Sequence, residues 1–174
     1  MLKKELKTTE FNYFYATYLN MLKNDDELLT SLIEGKGWFV KFIKELSTQK
    51  LNYKYAAGKW TIAEVLIHLI DTERIFQYRA FRFSRNDMTP LPGFEQDGYV
   101  LECESEKRTK ESIIEEFLSA REATIVLFGL MGEEKLRRIG MASSIPWSVA
   151  ALGFVISGHQ KHHLKILKER YFEN

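Results

Sequence analysis

Apolar residues recur at intervals of three and four along four long stretches of the chain, and the glycines, prolines and polar clusters gather between them. That spacing is the signature of helices with one buried face, and no strand-like segment of comparable strength remains. The first helix is predicted from Asn24 to about Leu46, since Asn24 followed by Asp25, Asp26 and Glu27 supplies a cap and the negative charge a helix start favours. Gly35 and Gly37 inside it predict a bend. The second helix opens at Thr61, which stands to Glu64 as in a capping box, and carries Ile62, Val65, Leu66, Leu69 and Phe76 on one stripe. The third runs from about Thr109 to Met131, with Ile113, Phe117, Ala120 and Leu127 toward the core. The fourth is expected to start near Pro146, a residue suited to a first helical turn, and to reach about Phe172. Between the second and third, Ser84 to Arg108 reads as a long loop because Pro90, Pro92, Gly93 and Gly98 prevent regular helix. The aromatic-rich opening, Thr9 to Leu22, is expected to be a short helix packed across a bundle end. The prediction is an all-α four-helix bundle, one domain over residues 1–174.

On the fourth helix the stripe Val149, Leu152, Ile156, His159, His163, Ile166, Leu167 turns two histidines into the core. Burying two imidazoles one turn apart is costly unless each nitrogen finds a partner, and a metal ion satisfies both at once. A single buried histidine is more often hydrogen-bonded within the core; the i, i+4 pair on an apolar stripe is what raises the metal reading. His162 projects about 90° from the stripe centre and is set aside as a ligand. The third candidate, His68, falls at the edge of the second helix's stripe, about 60° from Val65. His68 lies about 12 Å from the start of its helix and His163 about 14 Å from the end of its own, so the heights agree only if these helices are antiparallel. An up-down-up-down bundle makes them parallel; the long 84–108 loop instead carries the chain back, giving an up-down-down-up order.

Composition changes this picture little. Lys and Arg total 25 against 24 Asp and Glu, a net charge of +1, which supplies no field for nucleic acid. The longest apolar candidate, Ile145 to Ile156, is too short to span a bilayer and is broken by Pro146, Ser148 and Gly153. One cysteine, Cys103, and no signal peptide predict a cytoplasmic location without a disulfide framework.

The segments Tyr55–Glu73 (YAAGKWTIAEVLIHLIDTE), Leu91–Glu95 (LPGFE) and Gly158–His163 (GHQKHH) together resemble the DinB/YfiT-like superfamily of metalloenzymes, over about Leu19 to Leu167. The resemblance implies the bundle order above, a metal held by His68, His159 and His163, and a homodimer. It implies one divalent transition-metal ion, Zn, Ni, Fe or Mn. It also implies two activities: transfer of a low-molecular-weight thiol such as bacillithiol or mycothiol, and metal-dependent hydrolysis.

Thiol transfer to an electrophilic small molecule is the leading expectation, because it needs no protein nucleophile and Cys103 reads as a bystander in a loop. Hydrolysis by metal-activated water is the alternative, and a non-catalytic, stress-related metal-binding module is the third. Glu64, Asp71, Thr72, Arg79, Trp60 and Trp147 are the candidates for supporting the ligands or lining a substrate pocket. Plainer readings compete: a cap for Glu64, surface or supporting roles for Asp71 and likewise for Glu73, a solvated helix face for Arg79, and core plugs for the two tryptophans.

Overall fold

The computed structural model describes residues 1–172; the expected domain's last two positions, 173 and 174, lie outside the described residues. Four long helices make the bundle: α2 (Leu28–Glu45), α3 (Ile62–Ser84), α5 (Lys110–Gly129) and α7 (Val149–Tyr171). Shorter helices α1 (Ala16–Leu19), α4 (Gln96–Glu102) and α6 (Glu133–Leu136), and a hairpin of β1 (Ile139–Ala142) and β2 (Ile145–Ser148), join or cover them.

Contacts between the helix ends fix the order. Near the C-terminus of α7, the Tyr171 hydroxyl donates to the Trp60 carbonyl just before α3, so α3 and α7 are antiparallel. Lys36 pairs with Glu122 while Lys110 reaches the carbonyl of Lys44, so α2 and α5 are antiparallel too. Gly35 meets Gln160 and Phe42 meets Phe172, which makes α2 and α7 parallel. The bundle is therefore up-down-down-up, with the crossover between α3 and α5.

Caps set the boundaries. Glu64 Oε2 accepts from the Thr61 N–H at 2.6 Å and Thr61 Oγ1 accepts from the Glu64 N–H at 3.2 Å, closing the capping box at the expected place. Thr109 caps α5 and Ser148 caps α7 in the same manner. The first helix starts later than expected. Its cap is Glu27, because residues 24–25 form a turn, closed from the Asp26 N–H to the Lys23 carbonyl, and the carbonyls of Asn24 and Asp26 accept from the N–H groups of Lys4 and Lys3. α2 also runs unbroken through Gly35 and Gly37.

Two further expectations are corrected. The 84–108 connection is not all loop, since α4 forms after Glu95 caps it. Pro146 does not begin the last helix: it lies in β2, opposite Met141, and the two-residue turn of Ser143 and Ser144 takes positive φ (54° and 59°) as hairpin turns of this length require. A proline that lacks a ladder N–H is tolerated in such an edge strand.

The opening segment packs along α7 rather than across a bundle end. Gly158 permits this, because a Cβ there would stand 2.2 Å from the Tyr18 carbonyl. The core divides into two apolar clusters, one around Phe76, Trp147 and Phe154 and one around Phe39, Phe117 and Leu167, with a layer of buried polar groups between them.

Candidate metal centre

That polar layer holds the three histidines. α3 delivers His68 and α7 delivers His159 and His163, one turn apart on the face that packs against α3. One ligand nitrogen from each ring lies within 4.8 Å of the others. Ring centroids are 5.0 Å apart for His68 and His159, 5.1 Å for His68 and His163, and 4.5 Å for His159 and His163. The Nε2 atoms of His68 and His159 approach to 3.2 Å. Two nitrogens each about 2.1 Å from one ion at a tetrahedral angle would lie about 3.4 Å apart, so the pair is already at ligand spacing.

The rings are held neutral. Burial lowers the pKa of His68 to about 4 and, with help from His68 and His162, that of His163 to about 3. Burial first and the other three histidines second push His159 well below its ordinary value. Near pH 7 each imidazole therefore keeps a lone pair for a cation, which is the protonation state a metal ligand needs. Among the described residues no carboxylate is a cause of the shift at any of the three rings.

The surroundings sort the remaining candidates. The Thr72 hydroxyl lies 3.4 Å from His68 Nδ1, on the side away from the other histidines, and can fix that ring's tautomer. The Trp60 indole stands 5.0 Å from the His68 ring. Tyr18, which sequence reasoning leaves among the structural aromatics, lies edge-on to His159 at 4.9 Å and to His162 at 5.2 Å. Its signal is weak, since only the tight Gly158 contact brings α1 to that place. His68 and His159 are buried, and the partly exposed His163 opens into a cleft of about 270 Å³ lined by Tyr55, Lys59, Trp60 and Tyr171. A wider groove of about 500 Å³ between α2 and α7, lined by Trp38, Phe42 and Lys168, contains none of the three.

Four candidates are elsewhere. Glu64 is committed to its cap. Asp71 faces Arg74 at 3.7 Å and a separate cleft that contains Cys103. Trp147 is fully buried against Tyr15 and Phe76 and cannot line a mouth. Arg79 is not on a solvated helix face: it is buried, with Nη2 donating to the Pro92 carbonyl and Ser143 Oγ at 3.0 Å each. Cys103 lies in the Asp71 cleft with its thiol pKa raised by burial, so it offers the histidines no nucleophile.

Sequence reasoning places Glu73 at the surface or in support of the ligands, and the structure gives it another role. Its carboxylate takes a two-pronged contact from Arg121 at 2.7 and 2.8 Å, and Arg121 also donates to Gln160 Oε1 and the Leu32 carbonyl. This knot ties four helices, and Gly35 makes room for it: a Cβ there would meet Arg121 Nη1 at 2.8 Å.

The fold and site together define a bundle protein with a three-imidazole donor set on its α3–α7 seam. Residues 38–167 match the sequence model of the DinB superfamily, and the chain belongs to that family. It is 25% identical over 133 residues, 72% of this chain and 73% of the other, to an Oceanobacillus iheyensis protein named "putative metal-dependent hydrolase". Its fold is similar to that of YfiT from Bacillus subtilis, described as a "probable metal-dependent hydrolase with an unusual four-helix bundle topology", with a TM-score of 0.68 at 17% identity over 85% of this chain and 87% of that one.

Proposed function

We propose that this chain is a metal-dependent enzyme that uses His68, His159 and His163 to hold one divalent transition-metal ion and transfers a low-molecular-weight thiol of the bacillithiol class to an electrophilic small molecule. The observation that carries the reading is three neutral imidazoles converging on one point with no carboxylate of the described residues in their field. Three nitrogen ligands leave a position open, as catalytic sites do and closed structural sites do not. When bound, a divalent ion supplies Lewis-acid chemistry that lowers the pKa of a thiol or a water brought to it.

The chain's own groups supply the rest. Thr72 orients His68, while the Trp60 and Tyr18 rings lie against His68 and His159. The Tyr55, Trp60 and Tyr171 cleft is the approach to His163, with Lys59 at its rim. In the transfer the thiol, whose ordinary pKa of about 8.5 lies near neutrality, gives up its proton to solvent, its sulfur bonds to the electrophile's carbon, and the leaving group departs from that carbon with its bonding electron pair. None of these steps asks for a protein nucleophile or a carboxylate base, and none is at hand.

Hydrolysis is the second reading, supported by the names given to the Oceanobacillus and Bacillus proteins. It needs a group to take a proton from water. Glu64 and Glu73 are engaged elsewhere, and Asp71 opens to a different cleft. The deciding experiment is elemental analysis of protein purified without a nickel column, followed by paired assays of thiol conjugation and of ester and amide hydrolysis. The expected result is about one metal ion per chain, lost in His163→Ala, and thiol conjugation alone; hydrolysis without conjugation selects the second reading. Bound metal with neither turnover returns the protein to a non-catalytic module. A homodimer in the cytoplasm is the setting we propose, and sedimentation equilibrium tests the dimer.

A further inference from the structure

Arg79 and Arg121 are both almost wholly buried, at 2% and 1% exposure, and among the described residues only Arg121 of the two pairs with a carboxylate. Arg79 has two neutral acceptors, the Pro92 carbonyl and Ser143 Oγ, both on Nη2. A guanidinium carries five N–H donors, and among the described residues the hydrogen bonds of Arg79 engage Nη2 alone. The acids near it in sequence are engaged: Asp87 with Arg82, and Glu95 with the N–H of Asp97. The group that shares its electrostatic field is the Tyr15 phenol, which is neutral in its ordinary form.

A buried donor without a partner lies alongside. The Trp147 indole N–H is buried with no acceptor. Phe76 borders both groups, 5.7 Å from the Arg79 guanidinium and 5.8 Å from the indole, while Tyr15 is 4.3 Å from the indole. A buried cation without a counterion and a buried donor without an acceptor are each costly, and native proteins normally pair them. A purely mechanical role, tying the 91–95 loop and the hairpin turn to α3, accounts for Nη2 and needs no positive charge.

The cover over Arg79 is thin. Pro92, Gly93, Glu95 and Ser144 are exposed, and Phe94 and Ser143 are half-buried. The loop is pinned to the hairpin by two backbone hydrogen bonds, from Leu91 N–H to the Met141 carbonyl and from Ser143 N–H to the Leu91 carbonyl. We propose that Arg79 is the anchor of a second ligand site, in which its guanidinium and the Trp147 indole N–H receive an oxyanion, a carboxylate or a phosphate, admitted beneath the Leu91–Glu95 loop. Arg79 follows His68 by eleven residues, which places it about 20° away on the helical projection and about 16 Å along α3. An acidic group there and a ligand atom at the histidines are thus addressed from the same side of α3, while the anion site itself does not depend on the metal.

Nitrogen-15 spectra of the whole chain test this through the three tryptophan indole signals, with Trp147 assigned from Trp147→Phe. Acetate and inorganic phosphate are titrated separately at constant ionic strength, and the anion with the lower midpoint names the ligand chemistry. The expected result is a saturable shift of the Trp147 signal, a midpoint at least tenfold higher in Arg79→Lys, and no shift in Arg79→Gln. His163→Ala should leave the midpoint unchanged, which separates this site from the metal centre. The proposal is overturned if neither anion moves the Trp147 signal saturably in the wild-type protein, a result that requires no variant to fold. It is equally overturned if Arg79→Lys leaves the midpoint alone, or if the signal of Trp60, beside His68, responds in place of that of Trp147.

Discussion

His159 and Gln160 are neighbours on α7, yet they enter two buried polar clusters of opposite character. Gln160 joins the Arg121–Glu73 knot, where the carboxylate takes two donors and the amide closes onto the Gly35 carbonyl at 2.7 Å. His159 joins His68 and His163, whose ring nitrogens approach one another and meet no carboxylate. A cavity of only about 10 Å³ separates the clusters, lined by Thr72, Glu73, Arg121, His159 and Gln160. The first cluster is closed among its own groups and spends its polarity on holding helices in register. The second gathers three neutral imidazoles whose partners are one another, the donor set that the proposed ion would use.

Breaking the closed cluster should have the largest effect. Arg121→Met strands the Glu73 carboxylate in the core, and a buried charge deprived of its partner costs about 3–5 kcal/mol. Urea denaturation of the metal-free protein should show that loss in one cooperative transition, with much of it restored by adding Glu73→Gln. A loss below about 1 kcal/mol would place the knot at no more than the worth of a surface pair and dissolve the contrast.

The open cluster should respond to metal instead. Free metal at about one hundred times its dissociation constant should stabilise the wild-type protein by about 2.7 kcal/mol, and His163→Ala should remove that gain. Equal stabilisation of the variant would move the ion away from the three imidazoles.

How much of this contrast is legible in the sequence depends on whether its cause is local. The Thr61–Glu64 box and the HxxxH stripe are written within a few residues, and both are found where periodicity puts them. The up-down-down-up order follows from matching the heights of His68 and His163. The knot is harder, because Glu73 and Arg121 are 48 residues apart. A signal does exist: Glu73 continues the Leu66–Ile70–Glu73 stripe and Arg121 the Phe117–Arg121–Thr124 stripe, opposite charges at buried positions of two helices. The hairpin escapes because its strands have four residues each, Pro146 imitates a helix start, and its turn uses Ser143 and Ser144 in place of Asn-Gly. α4 is hidden by its seven-residue length and by Gly98.

Acid should sharpen the comparison next. The folded-state pKa values of His68 and His163, about 4 and about 3, lie below the unfolded value of 6.5, so in that window the unfolded chain binds the extra protons. Metal-free stability is then fully present above about pH 6.5 and falls by about 1.4 kcal/mol per ring for each unit that the pH drops below that value, down to about pH 4. Denaturation midpoints at pH 7, 5.5 and 4.5 would reveal the slope. His163→Ala should flatten it, and an unchanged slope in that variant would assign the acid sensitivity to other groups.

The smallest effect should come from Thr72, which touches the open cluster from behind. Its hydroxyl is 3.4 Å from His68 Nδ1, a long contact, and it leaves Nε2 as the nitrogen facing His159. Partners of this kind set a ligand ring's tautomer and orientation, and losing one weakens metal binding by about 10–100-fold. The length of the contact favours the lower end, so Thr72→Val should weaken metal binding about tenfold while leaving metal-free stability near that of the wild type, because shape is kept. Competition against a chromophoric chelator measures the first quantity and urea denaturation the second. A stability loss with unchanged metal affinity would make Thr72 part of the helix packing, and the line between the closed and open clusters would then run on the histidine side of Thr72.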